Sequence, residues 1–319
     1  MEDAAKTAPP GSAPRGAPAA APAPALKTRP PELEDWLNRF VVHPLSRRIA
    51  LALRHTPVSP NMVSVSSGLS IAAAAAAYTL LGWPQAVAAG LFFHLLWHVL
   101  DGADGDLARL TGKSSPLGET VDGLADYSGH AVLYISLAAY EGGWVWALAT
   151  LAAFSRGLQA NHIESVRRNY LWRAYGIPWL GSGGAQAESD SAHSAARRSL
   201  GARVLNALSR FYLAAGDMVS PRGEAADGRI EALAADPATA ASARSAARRV
   251  GASALRWQEW LGPNRRTLLL GASMALGTPI WFLALEATLL NLVLVASIRR
   301  QRKVNQALAA ALEQVGRTA

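Results

Sequence analysis

The chain has 319 residues, half of them hydrophobic, with 31 Lys+Arg against 23 Asp+Glu, a formal charge of +8 and no cysteine. Charged residues are only 17% of it, against about 25% in soluble globular chains, which argues against an ordinary cytosolic enzyme. The lack of cysteine excludes a disulfide scaffold and any Cys-ligated zinc or iron–sulfur site. The basic balance would suit nucleic acid or an anionic membrane surface, and its distribution favours the membrane.

Residues 1–31 are rich in Ala, Pro and Gly. They bury too little apolar surface to offset ordering entropy and read as a disordered tail, without the pattern of a secretory signal. In residues 32–56, Trp36, Leu37, Phe40, Val41, Leu45, Ile49 and Leu53 recur at helical spacing, with Arg39, Arg47, Arg48 and Arg54 between them. This predicts an amphipathic helix that lies at a lipid interface, packs on the rest of the protein, or does both.

Residues 57–184 form the first part of a membrane domain. Its apolar runs are Met62–Leu81, Ala86–Leu100, Leu124–Tyr140 and Trp144–Phe154. Residues 258–303 add Thr267–Ile298, broken at Gly277-Thr278-Pro279, which gives six crossings in all. Several runs are short, and these adjoin polar motifs, as expected where charged residues line a cavity inside a bundle. Arg47, Arg48, Arg54, Arg109, Lys113, Arg167, Arg168, Arg173, Arg265, Arg266 and the Arg299–Lys303 cluster fall on one side, and the alternate loops carry no Lys or Arg. By the positive-inside rule both termini are cytoplasmic. Residues 185–257 read as a cytoplasmic helical insertion, with helices near Leu200–Ala215 and Arg229–Trp260, and residues 304–319 as a cytoplasmic tail. The expected fold class is therefore an all-α integral membrane protein: a six-transmembrane-helix bundle with an N-terminal amphipathic interfacial helix. Trp83, Trp144 and Trp146 near crossing ends fit an interfacial belt, which weakens any nucleic-acid reading.

Six of the 23 acidic residues fall between positions 101 and 126: Asp101, Asp104, Asp106, Glu119, Asp122 and Asp126. Asp101, Asp104 and Ala108 share one helical face, and Gly118, Asp122 and Asp126 share a face of the next helix. The turn at Pro116–Gly118 predicts that the two helices are antiparallel neighbours, so that four carboxylates converge. Ionised carboxylates brought together near a bilayer repel and lose hydration, at a cost of several kcal/mol per charge. One or two divalent cations relieve both problems, and all-oxygen ligation favours Mg²⁺, Mn²⁺ or Ca²⁺ over zinc. Such ions make a site for a pyrophosphate. Gly105, Gly118 and Ala108 leave room for a ligand to approach, and Arg109 adds a cation.

Asp101-Gly-Ala-Asp104-Gly105-Asp-Leu-Ala108-Arg109, eight residues, then Gly118-Glu-Thr-Val-Asp122-Gly-Leu-Ala-Asp126 resembles the signature of the CDP-alcohol phosphotransferases (CDP-alcohol phosphatidyltransferases). All eight fixed positions of D-x2-D-G-x2-A-R-x8-G-x3-D-x3-D are filled at the right spacing. Ser59-Pro60-Asn61 also resembles the opening of the family's first transmembrane helix. The resemblance covers about residues 55–175 and, in outline, the last two crossings. It implies a six-helix membrane transferase that replaces CMP on a CDP-linked donor with an acceptor hydroxyl. It further implies that Asp101, Asp104, Asp122 and Asp126 hold a one- or two-metal centre of Mg²⁺ or Mn²⁺, and that Asp126 is the general base. Asp104, Gly105, Ala108, Arg109 and Gly118 would form the nucleotide site, and a homodimer is a further implication. The expected location is the inner membrane, multi-pass, and the expected role phospholipid biosynthesis. CDP-diacylglycerol is the expected donor, with a CDP-aminoalcohol or CDP-inositol as the alternative. In another class, the same carboxylates would serve a cation transporter.

Outside the signature, Asn61, His98 and Arg156 are candidate substrate or acceptor contacts. His94, His98 and Asp101 stand at i, i+4 and i+7, a spacing that could face zinc but equally suits acceptor contact or the bundle interior. His130 continues the Gly118–Asp122–Asp126 row. Arg156 follows Phe154 closely and is expected to face a phosphate in a cavity. Arg167 and Arg168 read as anchors or substrate contacts, and Asn264-Arg265-Arg266 reads as anchoring.

Overall fold

The computed structural model describes residues 30–177, 219, 221, 223–255 and 258–318, and these are helical apart from turns and short connections. The predicted helix near Leu200–Ala215 lies outside the described residues. A 3-10 turn, Pro31–Leu33, and a π turn, Asn38–Val42, lead into α1 (His43–Leu53). The main helices follow as α2 (Pro60–Leu80), α3 (Gln85–Thr111), α4 (Pro116–Glu141) and α5 (Val145–Tyr175). After these come α6 (Glu224–Leu233), α7 (Pro237–Leu255), α8 (Gln258–Leu261), α9 (Pro263–Ala275), α10 (Ile280–Ala287) and α11 (Leu289–Thr318).

Local chemistry sets the boundaries. Ser59 and Ser115 cap α2 and α4 by accepting from the backbone N–H groups of Met62 and Gly118, each with Pro at the first helical position. Gly112 and Gly176 end α3 and α5 in the left-handed conformation, at φ of 66° and 67°.

By length and composition, three helices among the described residues are apolar enough to cross a membrane: Pro60–Leu80, Gln85–Thr111 and the near-continuous Ile280–Arg317. The other expected crossings differ for visible reasons. The first turns of α4 carry the acidic motif, and the second half of α5 is heavily charged. With 13 residues, α9 extends only about 20 Å, short of the ~30 Å hydrocarbon core.

The packing corrects one expectation. Helices α3 and α4 face each other through side chains, Trp97 meeting Asp126 and His130, but their backbones make few close approaches and α2 packs on both. Its sequence of small residues allows this. A Cβ on Gly68 would stand 2.7 Å from the Ala125 carbonyl oxygen, and Gly129 of α4 comes as close to the Gly68 carbonyl. Tyr78 of α2 covers Gly90 of α3. A core of Ile71, Ala74, Tyr78, Trp97, Leu133, Leu137, Ala149, Leu270 and Phe282 joins these helices to α5, α9 and α10.

The N-terminal segment packs on the rest of the protein. Ser46 donates to the Val99 carbonyl at 2.7 Å, and Ala50 is fully buried in a cluster with Leu107. The other side leaves Trp36, Phe40 and Leu45 exposed among arginines, an apolar stripe suited to a lipid interface.

A second core forms beyond the first. Val166, Tyr170 and Ala174 of α5, Ala226 and Ile230 of α6, Ala243, Ala247 and Leu255 of α7, and Val304, Leu308 and Leu312 of α11 pack together. Residues 304–318, expected as a tail, are therefore the packed continuation of α11. The expected helix over 229–260 is described instead as α6, α7 and α8, with a break at Asp236-Pro237. Glu32 accepts from Tyr170 and Tyr175, which ties the N-terminal turn to this core.

Candidate active site

The aspartates lie where α3 and α4 pass either side of α2. Asp104 is buried and accepts from Ser64 of α2 at 2.6 Å, and Asp122 stands close enough to it for their charges to interact. Asp122 also stands close enough to Asp126 for their charges to interact. Asp126 accepts from the Trp97 indole at 2.6 Å.

Two cavities meet at this row. The smaller, about 150 Å³, is lined by Asn61, Ser64, Asp104, Gly105, Ala108, Arg109, Lys113, Ser114, Ser115, Gly118 and Asp122. All five residues expected at the nucleotide are thus gathered around one space, together with Asn61. Small side chains keep it open: a Cβ at Gly118 would stand 3.5 Å from Asn61 Oδ1. Arg109 folds over Gly105 and pairs with Asp106 at 2.6 Å, a partner given no role by the motif.

The larger cavity, about 930 Å³, is lined by Asp101, Asp122 and Asp126, by Trp97, His98 and His130, and by Arg156, Glu164, Arg167, Arg168 and Arg266. Only Asp122, among the aspartates, borders both spaces. One face of α5, from Ala153 through Arg156, Ala160, Glu164 and Arg167 to Leu171, forms a wall along this cavity. Arg167 and Arg168 both pair with Glu164 on that wall.

Arg156 borders the cavity as expected. It reaches His130 Nε2 at 2.6 Å and Glu286 at 3.8 Å. Arg266, expected as an anchor, is instead buried: it pairs with Glu286 at 2.5 Å and donates to Gln159 Oε1 at 2.5 Å and the Leu261 carbonyl at 3.1 Å. Asn264 beside it is buried too and donates to Asp35 at 2.7 Å. Only Arg265 of that trio is at the surface, stacked on Trp260 and paired with Glu259.

Glu286, fully buried, is the largest omission from the sequence reading. It bonds Tyr134, Arg266 and Arg156 at once. The signal was present, because Glu286 is the one acid in the apolar run 267–298, and an ionisable residue there rarely lacks a task. Ser64 and Trp97 were missed because a Ser and a Trp in an apolar helix carry no such flag.

The histidines do not assemble a zinc site. The His94 and His98 rings stack 6.2 Å apart, His98 Nε2 meets Thr267 Oγ1 at 2.8 Å, and His130 Nδ1 meets its own helix at the Asp126 carbonyl. Among the described residues, no three His, Asp or Glu side chains are arranged to hold a metal ion as they stand. The donor chemistry nonetheless suits a hard divalent cation. Asp104 and Asp122 bring carboxylates together in a buried position, and such a pair needs a proton or a cation between its charges.

Among the described residues, membrane-length helices carry an acidic row shared by two cavities. Residues 57–176, which span α2 to α5, match the family model for CDP-alcohol phosphatidyltransferase. No curated protein matches the chain. The match supports transfer of a phosphate-linked alcohol from a CDP-alcohol. With the apolar helices, it makes the chain a multi-pass membrane protein.

Proposed function

We propose that the chain is a phospholipid-biosynthetic transferase that displaces CMP from a CDP-linked donor, CDP-diacylglycerol first among the candidates, by an acceptor hydroxyl. The observation that carries this is the pair of cavities divided at Asp122: nucleotide-motif residues surround one, and Asp126 with several arginines borders the other.

In this reading the cytidine diphosphate lies against Gly105, Ala108 and Gly118, where the lack of large side chains admits it, and Arg109 and Lys113 offset phosphate charge. Asp101, Asp104, Asp122 and Asp126 would hold one or two divalent cations, Mg²⁺ or Mn²⁺, which when bound neutralise the diphosphate and stabilise CMP as a leaving group. The acceptor occupies the larger cavity. Its hydroxyl gives a proton to Asp126 as the oxygen attacks the phosphorus next to the donor alcohol. The bond from that phosphorus to the oxygen of CMP breaks, and CMP takes both electrons. His98 and Arg156 border the acceptor space, and Arg156, held by Glu286, supplies a fixed cation for an anionic acceptor group. Six crossings with both termini cytoplasmic, and α6 and α7 on the cytoplasmic side, complete the proposal, in a cell inner membrane and as a homodimer.

The test is CMP release by the lipid-reconstituted protein offered CDP-diacylglycerol, CDP-choline, CDP-ethanolamine and CDP-inositol in turn, with Mg²⁺ or Mn²⁺ and a pool of hydroxyl acceptors. Metal-dependent release from one donor, absent in Asp126→Asn, is expected. Folded protein that releases none, and instead passes cations across the same vesicles, would establish the transporter reading.

A further inference from the structure

The eight motif positions leave Trp97 unexplained. It lies one turn before Asp101 on α3, is 4% exposed, and donates its indole N–H to Asp126 Oδ1 at 2.6 Å. An indole offers a single donor and no rotor, so the placement of the ring alone sets where the hydrogen bond points.

That placement is fixed from both sides. The indole packs against His98, centroids 4.2 Å apart at 42°, and against His130, 4.7 Å apart at 82°. Each imidazole is held in turn. His98 meets Thr267 at the start of α9, while His130 meets the Asp126 carbonyl at 2.8 Å and Arg156 of α5 at 2.6 Å. Groups on α3, α4, α5 and α9 thus converge on one N–H and one carboxylate oxygen. The arrangement answers a specific problem. The backbones of α3 and α4 make few close approaches, and the terminal torsion of the Asp126 carboxyl is intrinsically broad. A general base must keep one oxygen within hydrogen-bonding reach of its substrate. A side chain as long as tryptophan spans the gap.

We infer that Trp97 is a positioning residue for the proton transfer. It pins Oδ1 of Asp126 from α3, so that the second oxygen is presented to the acceptor hydroxyl in the larger cavity. This rests on the reading of Asp126 as the base.

The test is Trp97→Phe, which keeps an aromatic ring between the two imidazoles and deletes the donor. In the CMP-release assay with the four named donors, kcat is expected to fall about 10- to 100-fold, the scale of a hydrogen bond to a charged group, with the KM of the active donor nearly unchanged. A folded Trp97→Phe with wild-type kcat overturns the inference, and so does a matched rise in KM, which would mark a packing role. A second readout is independent of turnover. In ¹⁵N-indole spectra of the full-length protein, which has ten tryptophans, the signal missing from Trp97→Phe is expected to move in Asp126→Ala while the other nine hold. A signal that stays in place overturns the inference even if Trp97→Phe folds poorly. Wild-type protein that releases no CMP from any donor would count against the proposed function alone, and the indole signal would still decide the hydrogen bond.

Discussion

Asp122 borders both cavities, so its replacement touches the donor and acceptor sides together. Asp122→Asn and Asp126→Asn are each expected to lower CMP release by about 10²-fold or more, the contribution of a positioned acid–base group, with expression and membrane insertion unchanged. Near-normal turnover in both would remove the assigned roles. Glu286 sets a different expectation. Its carboxylate is the counter-charge of buried Arg266, and breaking such a pair by removing one partner costs about 3–5 kcal/mol. Glu286→Gln should therefore melt well below wild type in detergent, and an unchanged melting temperature would show that the pair is not formed. At this scale the aspartates and the glycines beside them were legible, because their spacing repeats every turn of one helix. Trp97 and Glu286 were not placed, because their partners lie 29 and 20 or more positions away.

The close crossing of α2 and α4 depends on two glycines facing each other's backbone. Gly68→Ala would put a methyl group 2.7 Å from the Ala125 carbonyl oxygen, so the helices must separate or shift. Asp126 is the next residue on α4, and a displacement near 1 Å can cost about 10²-fold in rate. Gly68→Ala is expected to lower both CMP release and melting temperature. Gly123→Ala, which meets open space on the same helix, should hold or raise stability by up to about 1 kcal/mol. Equal effects of the two substitutions in a thermal melt would mean that the crossing is looser than described. The element order was readable from apolar runs, but the packing of α2 on both α3 and α4 was not. Packing follows from where small side chains let backbones meet.

At the scale of the molecule, the distal half of α5 leaves the first core and builds a second with α6, α7 and the distal half of α11. Leu308, 1% exposed in that core, should cost about 2–5 kcal/mol on replacement by alanine, whereas a free tail would tolerate the change. The fall in melting temperature of Leu308→Ala measures the difference. Orientation can be read directly because the chain has no cysteine. With both termini cytoplasmic, Gly82→Cys should react with an impermeant maleimide from outside sealed cells, and Lys113→Cys only after lysis. The reverse pattern would invert the proposed topology.

The sequence by itself determined an apolar chain of helical segments with a row of four aspartates, because hydropathy and i+4 spacing are local and are written in consecutive residues. Tertiary structure alone decided that two cavities meet at Asp122, that Arg266 serves a buried acid rather than the membrane surface, and that an indole from α3 holds Asp126. Each of these depends on side chains from helices far apart in the chain filling the same small volume, and no periodicity within one helix records which distant residue that will be.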